Sequence, residues 1–194
     1  MATALFIKRE DLVKNTAISG SVDTDKFIHF IKLAQEIHVR NYLGTDLYNK
    51  ISADIVAGSL AGDYLDLVND YVQDMLIHYA MAEYLPFAAY TISNGGVHKH
   101  ESENSALAEK SEIDQLIAKE RDYAEYYTNR FIDYMSFNAA SKFPEYYTNQ
   151  NEEIYPDKDS NYAGWVLWKE KKLNNINRKR RTKSDFQVIL KRIN

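Results

Sequence analysis

The chain has 194 residues, of which 45% are hydrophobic and 27% charged, a composition typical of one globular domain or of one domain with an extension. It contains no cysteine, which excludes disulfides, thiolate metal sites and a cysteine nucleophile. No run of about 18 apolar residues occurs and the N-terminus lacks the apolar core of a signal peptide, so we expect neither a membrane-spanning helix nor a secretory leader.

Charge is divided unevenly along the chain. Residues 157–194 contain 11 Lys and Arg against 4 Asp and Glu, a net charge of +7. Because the whole chain carries −4, residues 1–156 carry −11. An acidic body with a basic tail indicates a folded unit and a segment that reaches a partner, although many basic tails are solvated without one.

Apolar periodicity predicts a helical protein. The chain has only 7 Gly and 3 Pro, and so few breakers favour long helices over many short strands. We predict an all-α fold, an antiparallel bundle of about four helices followed by a long, mostly extended C-terminal arm. The segments with apolar residues at three- and four-residue spacing are residues 23–43, 45–58, 63–85 and 109–138.

The same spacing predicts which side chains are buried. On the first helix the stripe ends with Ala34, Ile37 and Leu43, and on the third it begins at Leu65. Pro86 is expected to kink or end the third helix. On the fourth helix the predicted stripe is Ile113, Leu116, Ile117, Tyr123, Tyr127, Phe131 and Tyr134.

The first two helices meet at a Leu-Gly-Thr step. Gly44 is predicted to end the first helix in a left-handed turn, and Thr45 to cap the second helix at once. Two helices would then be fixed at a sharp angle with almost no loop. Gly44 and Thr45 therefore form a predicted helix-turn hinge.

A polar loop with two histidines follows the third helix, in the sequence NGGVHKHESENS, residues 94–105. His98 and His100 are two residues apart, so their rings point the same way only on a strand, and Glu101 stands beside them. A zinc site needs three or four ligands in a fixed frame, and the glycines here favour a solvated loop over a metal site.

No catalytic motif is present. His29, His38 and His78 fall inside predicted helices without H-E-x-x-H spacing, and we predict His29 and His38 to be surface or helix-end side chains. No carboxylate stands beside a residue that would indicate a catalytic role. ISNGGVH lacks the lysine of a phosphate-binding loop, and no G-x-S-x-G occurs. We predict no enzymatic activity, no metal and no cofactor. A metal-dependent enzyme built on His98 and His100 is a weak alternative.

The character of the chain changes after Asn138, which predicts a helical unit at residues 1–138 and an aromatic, basic arm at residues 139–194. Within the arm, YAGWVLWKEKK alternates partly and is predicted as one strand or half of a short β-hairpin. Interfaces are enriched in Tyr, Trp and Arg, so such residues here are candidates for binding a partner, with folding back onto the bundle as the alternative. The candidates are Tyr146, Tyr147, Tyr155, Tyr162, Trp165, Trp168, Arg178, Lys179, Arg180 and Arg181.

The basic run NRKRRTK, residues 177–183, permits two interpretations. Such a run can neutralise phosphates without reading bases, which would make the chain a nucleic-acid-binding accessory protein. Because the body is acidic, we do not expect sequence-specific binding to duplex DNA. The other interpretation is an arm that docks on an acidic protein surface.

The stretches FIKLAQEIHVRNYLGTDLYNKI and YVQDMLIHYAMAEYLPF are similar to tailed-phage head–tail connector proteins, the adaptor or neck proteins that form a ring beneath the portal. The residues that carry the resemblance are Ala34, Ile37, Leu43, Gly44, Leu47 and Tyr48. The loop at residues 92–105 and the helix ending AEYYTNRFIDYM resemble a subgroup from phages and prophages of Bacteroidetes-type hosts. The resemblance covers roughly residues 5–150 and rests on packing motifs.

The resemblance implies a structural protein of the virion neck, assembled in the host cytoplasm. It implies a homo-oligomeric ring, expected to be a dodecamer, whose subunits make heterologous contacts that close on rotation. The portal protein and downstream neck or tail proteins are the implied partners, and DNA would pass through the lumen without sequence-specific binding. In such a ring, the loop of His98, Lys99, His100 and Glu101 would contact an adjacent subunit, the portal or the lumen.

Overall fold

The computed structural model describes residues 4–18, 24–94, 96–99, 108–148 and 153–158. The described helices are α1 (Arg9–Asn15), α2 (Thr24–Ala34), a π-helical turn (Gln35–Val39), α3 (Arg40–Leu43), α4 (Thr45–Ala57), α5 (Gly62–Leu67), a second π-helical turn (Val68–Val72), α6 (Gln73–Tyr84), a 3-10 turn (Leu85–Phe87), α7 (Lys110–Lys142) and α8 (Glu145–Thr148). The described strands are β1 (Tyr90–Ser93) and β2 (Gly96–Lys99).

The protein is an all-α bundle, as the periodicity predicts. The α2–α3 helix, α4, the α5–α6 helix and α7 correspond to the four predicted helices. Antiparallel packing of α5–α6 against α7 follows from two contacts near opposite ends: Asp63 pairs with Lys142, and His78 pairs with Glu120. In the described part of the chain, no helix combines the length and apolar character needed to cross a bilayer.

The two π-helical turns change which side chains point inward. Each inserts a wider turn, which shifts the phase of the helix that follows. In the first, Gln35, His38 and Val39 are buried, whereas Ile37 is 47% exposed. The prediction that Ile37 lies on the buried face is therefore wrong, because it assumed regular α-helical periodicity. Leu65, just before the second π-helical turn, is also exposed rather than buried.

On α7 the buried face differs from the predicted stripe. Phe131 is buried as predicted, but Leu116 and Tyr123 are exposed. The contact line of α7 combines the small residues Ala124, Thr128 and Ala139 with the large residues Phe131 and Met135. The buried residues of α7 are Ala124, Thr128, Phe131, Met135 and Ala139.

A β-hairpin occupies part of the segment predicted as a loop. Strands β1 and β2 pair antiparallel, with Tyr90 opposite Lys99 and Ser93 opposite Gly96. The Asn-Gly sequence between the strands is one that short hairpin connections favour. The two predicted loop residues His98 and Lys99 thus belong to β2, a strand that the polar composition of the segment did not reveal.

The helical unit continues past the predicted boundary. Asn138 lies inside α7, which ends only at Lys142. Beyond it, Phe143 and Tyr146 are buried in the same hydrophobic core as the other helices. Most of the predicted extended arm, and the strand predicted within it, lie outside the described residues.

Candidate functional site: the base of the arm

A short extended segment, Glu153–Lys158, docks on the step between α3 and α4; we call it the strap. The Thr45 N–H donates to the Ile154 carbonyl at 3.0 Å, and the Ile154 N–H donates to Thr45 Oγ1 at 3.2 Å. Three residues further on, the Asp157 N–H donates to the Asn41 carbonyl at 2.8 Å. The strap is therefore fixed to two backbone groups that the helices leave available at their junction and to the Thr45 hydroxyl.

Gly44 is required at this junction for two reasons. Its backbone has φ +74° and ψ 162°, a conformation accessible essentially only to glycine. In addition, a Cβ atom at this position would lie 2.7 Å from both Cγ and Cδ of Pro156. The predicted hinge is thus also the surface on which the strap packs.

Thr45 has a different role from the one predicted. The residue that caps α4 is Gly44, and no side-chain hydrogen bond caps this helix. The Thr45 hydroxyl instead accepts the Ile154 N–H and donates to Glu153 Oε2 at 3.3 Å. The prediction of Thr45 as the cap is therefore wrong, because the cap lies one residue earlier and the Thr45 hydroxyl bonds to a segment distant in sequence.

A charged network links the strap to α2–α4. Arg40 donates from Nη2 to Glu153 and from Nη1 to Glu36 at 3.2 Å, and its guanidinium lies 5.5 Å above the Tyr48 ring. The Tyr48 hydroxyl donates to Glu36 Oε1 at 2.9 Å. Burial raises the pKa of Tyr48 to about 12, with Gln35 opposing this rise and Glu36 adding to it. Tyr48 therefore acts as a neutral hydrogen-bond donor at physiological pH.

Gln35 connects the same network to the N-terminal segment. Its Oε1 accepts the Phe6 N–H at 3.0 Å, and its Nε2 donates to the Ala4 carbonyl at 2.9 Å and to the Tyr48 hydroxyl at 2.8 Å. The side chain is fully buried and all its bonds are made within the bundle. One amide thus holds the N-terminal segment and α4 to the first π-helical turn.

The predicted arm residues divide into three groups. Tyr146 is 4% exposed and its ring packs in the hydrophobic core. Its prediction as a partner-binding residue is therefore wrong. Tyr147 and Tyr155 are exposed, and Lys158 Nζ lies 5.1 Å above the Tyr147 ring. The candidates Tyr162, Trp165, Trp168, Arg178, Lys179, Arg180 and Arg181 lie outside the described residues.

The structure also contains a buried polar cluster that the sequence did not predict. His38 stacks on Tyr79 with ring centroids 4.1 Å apart, and His38 Nε2 lies 3.0 Å from Glu83 Oε1. The Tyr79 hydroxyl is 3.2 Å from Thr128 Oγ1, which connects the cluster to α7. Burial lowers the pKa of His38, Glu83 partly opposes this and Arg121 adds to it. His38 is therefore a buried packing residue, not a surface histidine.

A second histidine–carboxylate pair joins α6 to α7. His78 Nδ1 lies 2.7 Å from Glu120 Oε2, and the imidazole stacks on Tyr127. Both pairs bridge helices. Glu83 and Glu120 therefore do have partners, which the sequence did not predict because the paired residues are far apart in the chain. Within the described ranges, no group of three or more His, Asp or Glu is placed to hold a metal ion. The side chains of His98 and Lys99 and the whole of His100 and Glu101 lie outside the description.

A comparison with protein families matches residues 39–155 of the chain to a family of unknown function, DUF6712. The chain belongs to this family. The matched region begins in the first π-helical turn and ends in the strap, so it contains Thr45 and Ile154 but ends before Pro156 and Asp157. No curated protein and no solved structure matches the chain.

Proposed function

We propose that the chain is a structural protein of a tailed-phage virion, a head–tail connector. It forms a homo-oligomeric ring at the neck, docks on the portal protein and joins it to downstream tail components, with DNA passing through the lumen. The proposal starts from the resemblance of the α2–α4 and α5–α6 sequences to connector proteins. It includes no catalytic step and no cofactor.

The anchored base of the arm is the observation that carries the proposal. The strap holds the chain on the α3–α4 junction through three hydrogen bonds, so the arm leaves the bundle at a fixed position. Residues 159–194, which follow, contain 10 Lys and Arg against 3 Asp and Glu. A charged arm that starts at a fixed point on a rigid body can hold a partner in a defined place, as an adaptor must.

The charge division suits the same function. Residues 1–158 carry −11 against the +7 of the remaining residues, since the whole chain carries −4. An acidic body repels phosphate, so DNA could slide past it, while the basic arm favours an acidic protein surface on the portal or on a neighbouring subunit.

Electron microscopy of the protein mixed with its portal tests the proposal. We expect rings on the portal for the full chain. A variant that ends after Lys158 keeps the strap and should keep the fold, yet lose portal or neighbour binding. A protein that stays monomeric and does not bind the portal in either pull-down or microscopy would overturn the proposal.

A nucleic-acid-binding accessory protein is the second candidate, favoured by the basic residues 177–183. Binding to duplex DNA through this run would weaken steeply with salt, because counterions are released on binding. The same truncation after Lys158 should then abolish the salt-dependent binding. If the truncated chain binds DNA as the full chain does, this candidate is wrong.

A further inference from the structure

The outer face of α7 exposes large apolar side chains along its length. Phe137 is 85% exposed and Tyr126 is 65% exposed, and Leu116 and Tyr123 lie on the adjoining flank. Such side chains are normally covered when a helix packs on two sides. In the described structure, α7 buries only the opposite side, through the line from Ala124 to Ala139.

Charges on this face are arranged symmetrically about Tyr126. Lys119 and Asp133 stand seven residues before and after it, and Asp122 and Arg130 stand four before and after it. Seven residues make about two turns and four make about one, so all five residues share one side of the helix. Each pair about the centre joins one positive and one negative charge.

We propose that a second copy of this chain docks on this face, with the two α7 helices antiparallel and related by a two-fold axis through Tyr126. The axis places Tyr126 against the partner's Tyr126. It places Lys119 opposite the partner's Asp133, and Asp122 opposite the partner's Arg130. Because the contact is isologous, each charge pair occurs twice.

Existing contacts of the charged residues are compatible with this pairing. Lys119 Nζ lies 4.8 Å above the Tyr123 ring on its own helix. Arg130 lies 4.8 Å above the Tyr71 ring, with Nη1 at 3.7 Å from Asp74. Both side chains are exposed, and the Arg130–Asp74 distance leaves the guanidinium with donors for a second carboxylate.

The area available fits a weak dimer. At roughly 200 Å² for each full aromatic side chain, the exposed parts of Tyr123, Tyr126 and Phe137 amount to about 400 Å² per copy. A standard interface buries about 800 Å² per partner, so the aromatic residues supply about half and the flanking charged stems the rest. The charge pairs then fix register and orientation more than they add affinity.

This contact is separate from the ring proposed above. Ring contacts are heterologous and continue from subunit to subunit, whereas a two-fold contact closes at two copies. The number of copies therefore distinguishes the two. The dimer is the form of the free protein, and its absence would leave the portal-bound ring unaffected.

Charge exchange on the full chain tests the pairing, with mass measured by sedimentation over a concentration series. Lys119→Asp places two like-charged pairs in the dimer and should raise its dissociation constant at least about tenfold. Asp133→Lys should do the same, and the double exchange should restore the dimer. Lys110→Asp is the matched control, since Lys110 lies on another side of α7 beside a cavity of about 240 Å³ lined by Pro86 and Tyr90.

A cross-link gives a second measurement. The chain contains no cysteine, so Tyr126→Cys introduces a single thiol on the proposed axis. Antiparallel helices in contact bring such positions within disulfide range, and mild oxidation should yield a covalent dimer. Tyr155→Cys, equally exposed but on the strap, should not.

The outcomes are distinct. A dimer that is lost in both single exchanges and restored in the double exchange supports the pairing. A monomeric wild type, a dimer indifferent to Lys119→Asp, or a cross-link from Tyr155→Cys but not from Tyr126→Cys overturns it. Larger rings whose assembly is unchanged by every charge exchange also overturn the two-fold pairing, while supporting the connector proposal. Far-UV circular dichroism confirms that each variant is folded.

Discussion

Replacing Gly44 by alanine should release the strap. The native φ of +74° and ψ of 162° would cost an alanine about 1–3 kcal/mol. The new Cβ would also lie 2.7 Å from Pro156, so the strap must move. The strap's three hydrogen bonds contribute roughly 0.5–1.5 kcal/mol each. Together these terms predict that Gly44→Ala lowers the free energy of unfolding by about 2.5–7.5 kcal/mol.

Gly58 provides a matched control. It has φ +66° and no atom within 4 Å of a built Cβ, so Gly58→Ala should cost only the backbone term, roughly 1–2 kcal/mol. Urea unfolding followed by circular dichroism measures both variants. Trypsin adds a local readout, because release of the strap should speed cleavage after Lys158 in Gly44→Ala and leave Gly58→Ala unchanged.

A double-mutant cycle isolates the contact with Pro156. In a Pro156→Ala background the Cγ and Cδ atoms are gone and only the backbone nitrogen of residue 156 remains near the new Cβ, at 3.2 Å. Gly44→Ala should therefore cost clearly less than in wild type, and the difference between backgrounds is the coupling energy. If Gly44→Ala costs the same as Gly58→Ala, or costs equally with and without Pro156, the assignment of Gly44 to strap docking is wrong.

Three further changes probe the interior. Gln35→Leu leaves the Phe6 N–H unpaired and should lower the unfolding free energy by about 2–4 kcal/mol, measured by urea titration. Because burial holds the pKa of His38 below its ordinary 6.5, the unfolded state binds more protons at acidic pH, and stability should fall as pH drops below about 6.5. His38→Asn should remove that part of the pH dependence. Tyr64→Phe loses the 2.8 Å bond to Glu145 and should cost about 0.5–1.5 kcal/mol, read from the same titration.

Each of these has a contrary result. Wild-type stability for Gln35→Leu would mean that the N-terminal segment is not held through this amide. An identical pH profile for wild type and His38→Asn would remove the histidine as the source of the acid sensitivity. Wild-type stability for Tyr64→Phe would mean that the hydrogen bond from Tyr64 to Glu145 does not contribute to the free energy of unfolding.

Regular periodicity predicted the helices because it depends only on neighbours a few residues apart. It failed where the helix itself is irregular: Ile37 is exposed because the π-helical turn at Gln35–Val39 shifts the phase. On α7, the side of the helix decided burial more than the hydrophobicity of the residue, so Ala124 is buried and Tyr123 is exposed.

The sequence predicted the helix junction of the candidate site but not the strap that docks on it. Gly44 followed by Thr45 signals a junction between helices, and that signal was correct. Its occupant was not predictable, because Ile154 meets Thr45 across 109 residues and the segment around it has no periodic pattern. The pairing of His38 with Glu83 was hidden for the same reason, since the two residues are 45 positions apart.

The strap also has a place in the order of folding. Closing a loop of 109 residues in one step would cost on the order of 4 kcal/mol in chain entropy. Once α8 has packed against α4, only residues 149–152 separate the strap from α8. The remaining loop is then short, so little further chain entropy is lost when the strap docks. Strap docking is therefore a late, short-range event that requires a completed bundle. The basic arm therefore acquires its fixed origin only on a molecule whose helical bundle has finished folding.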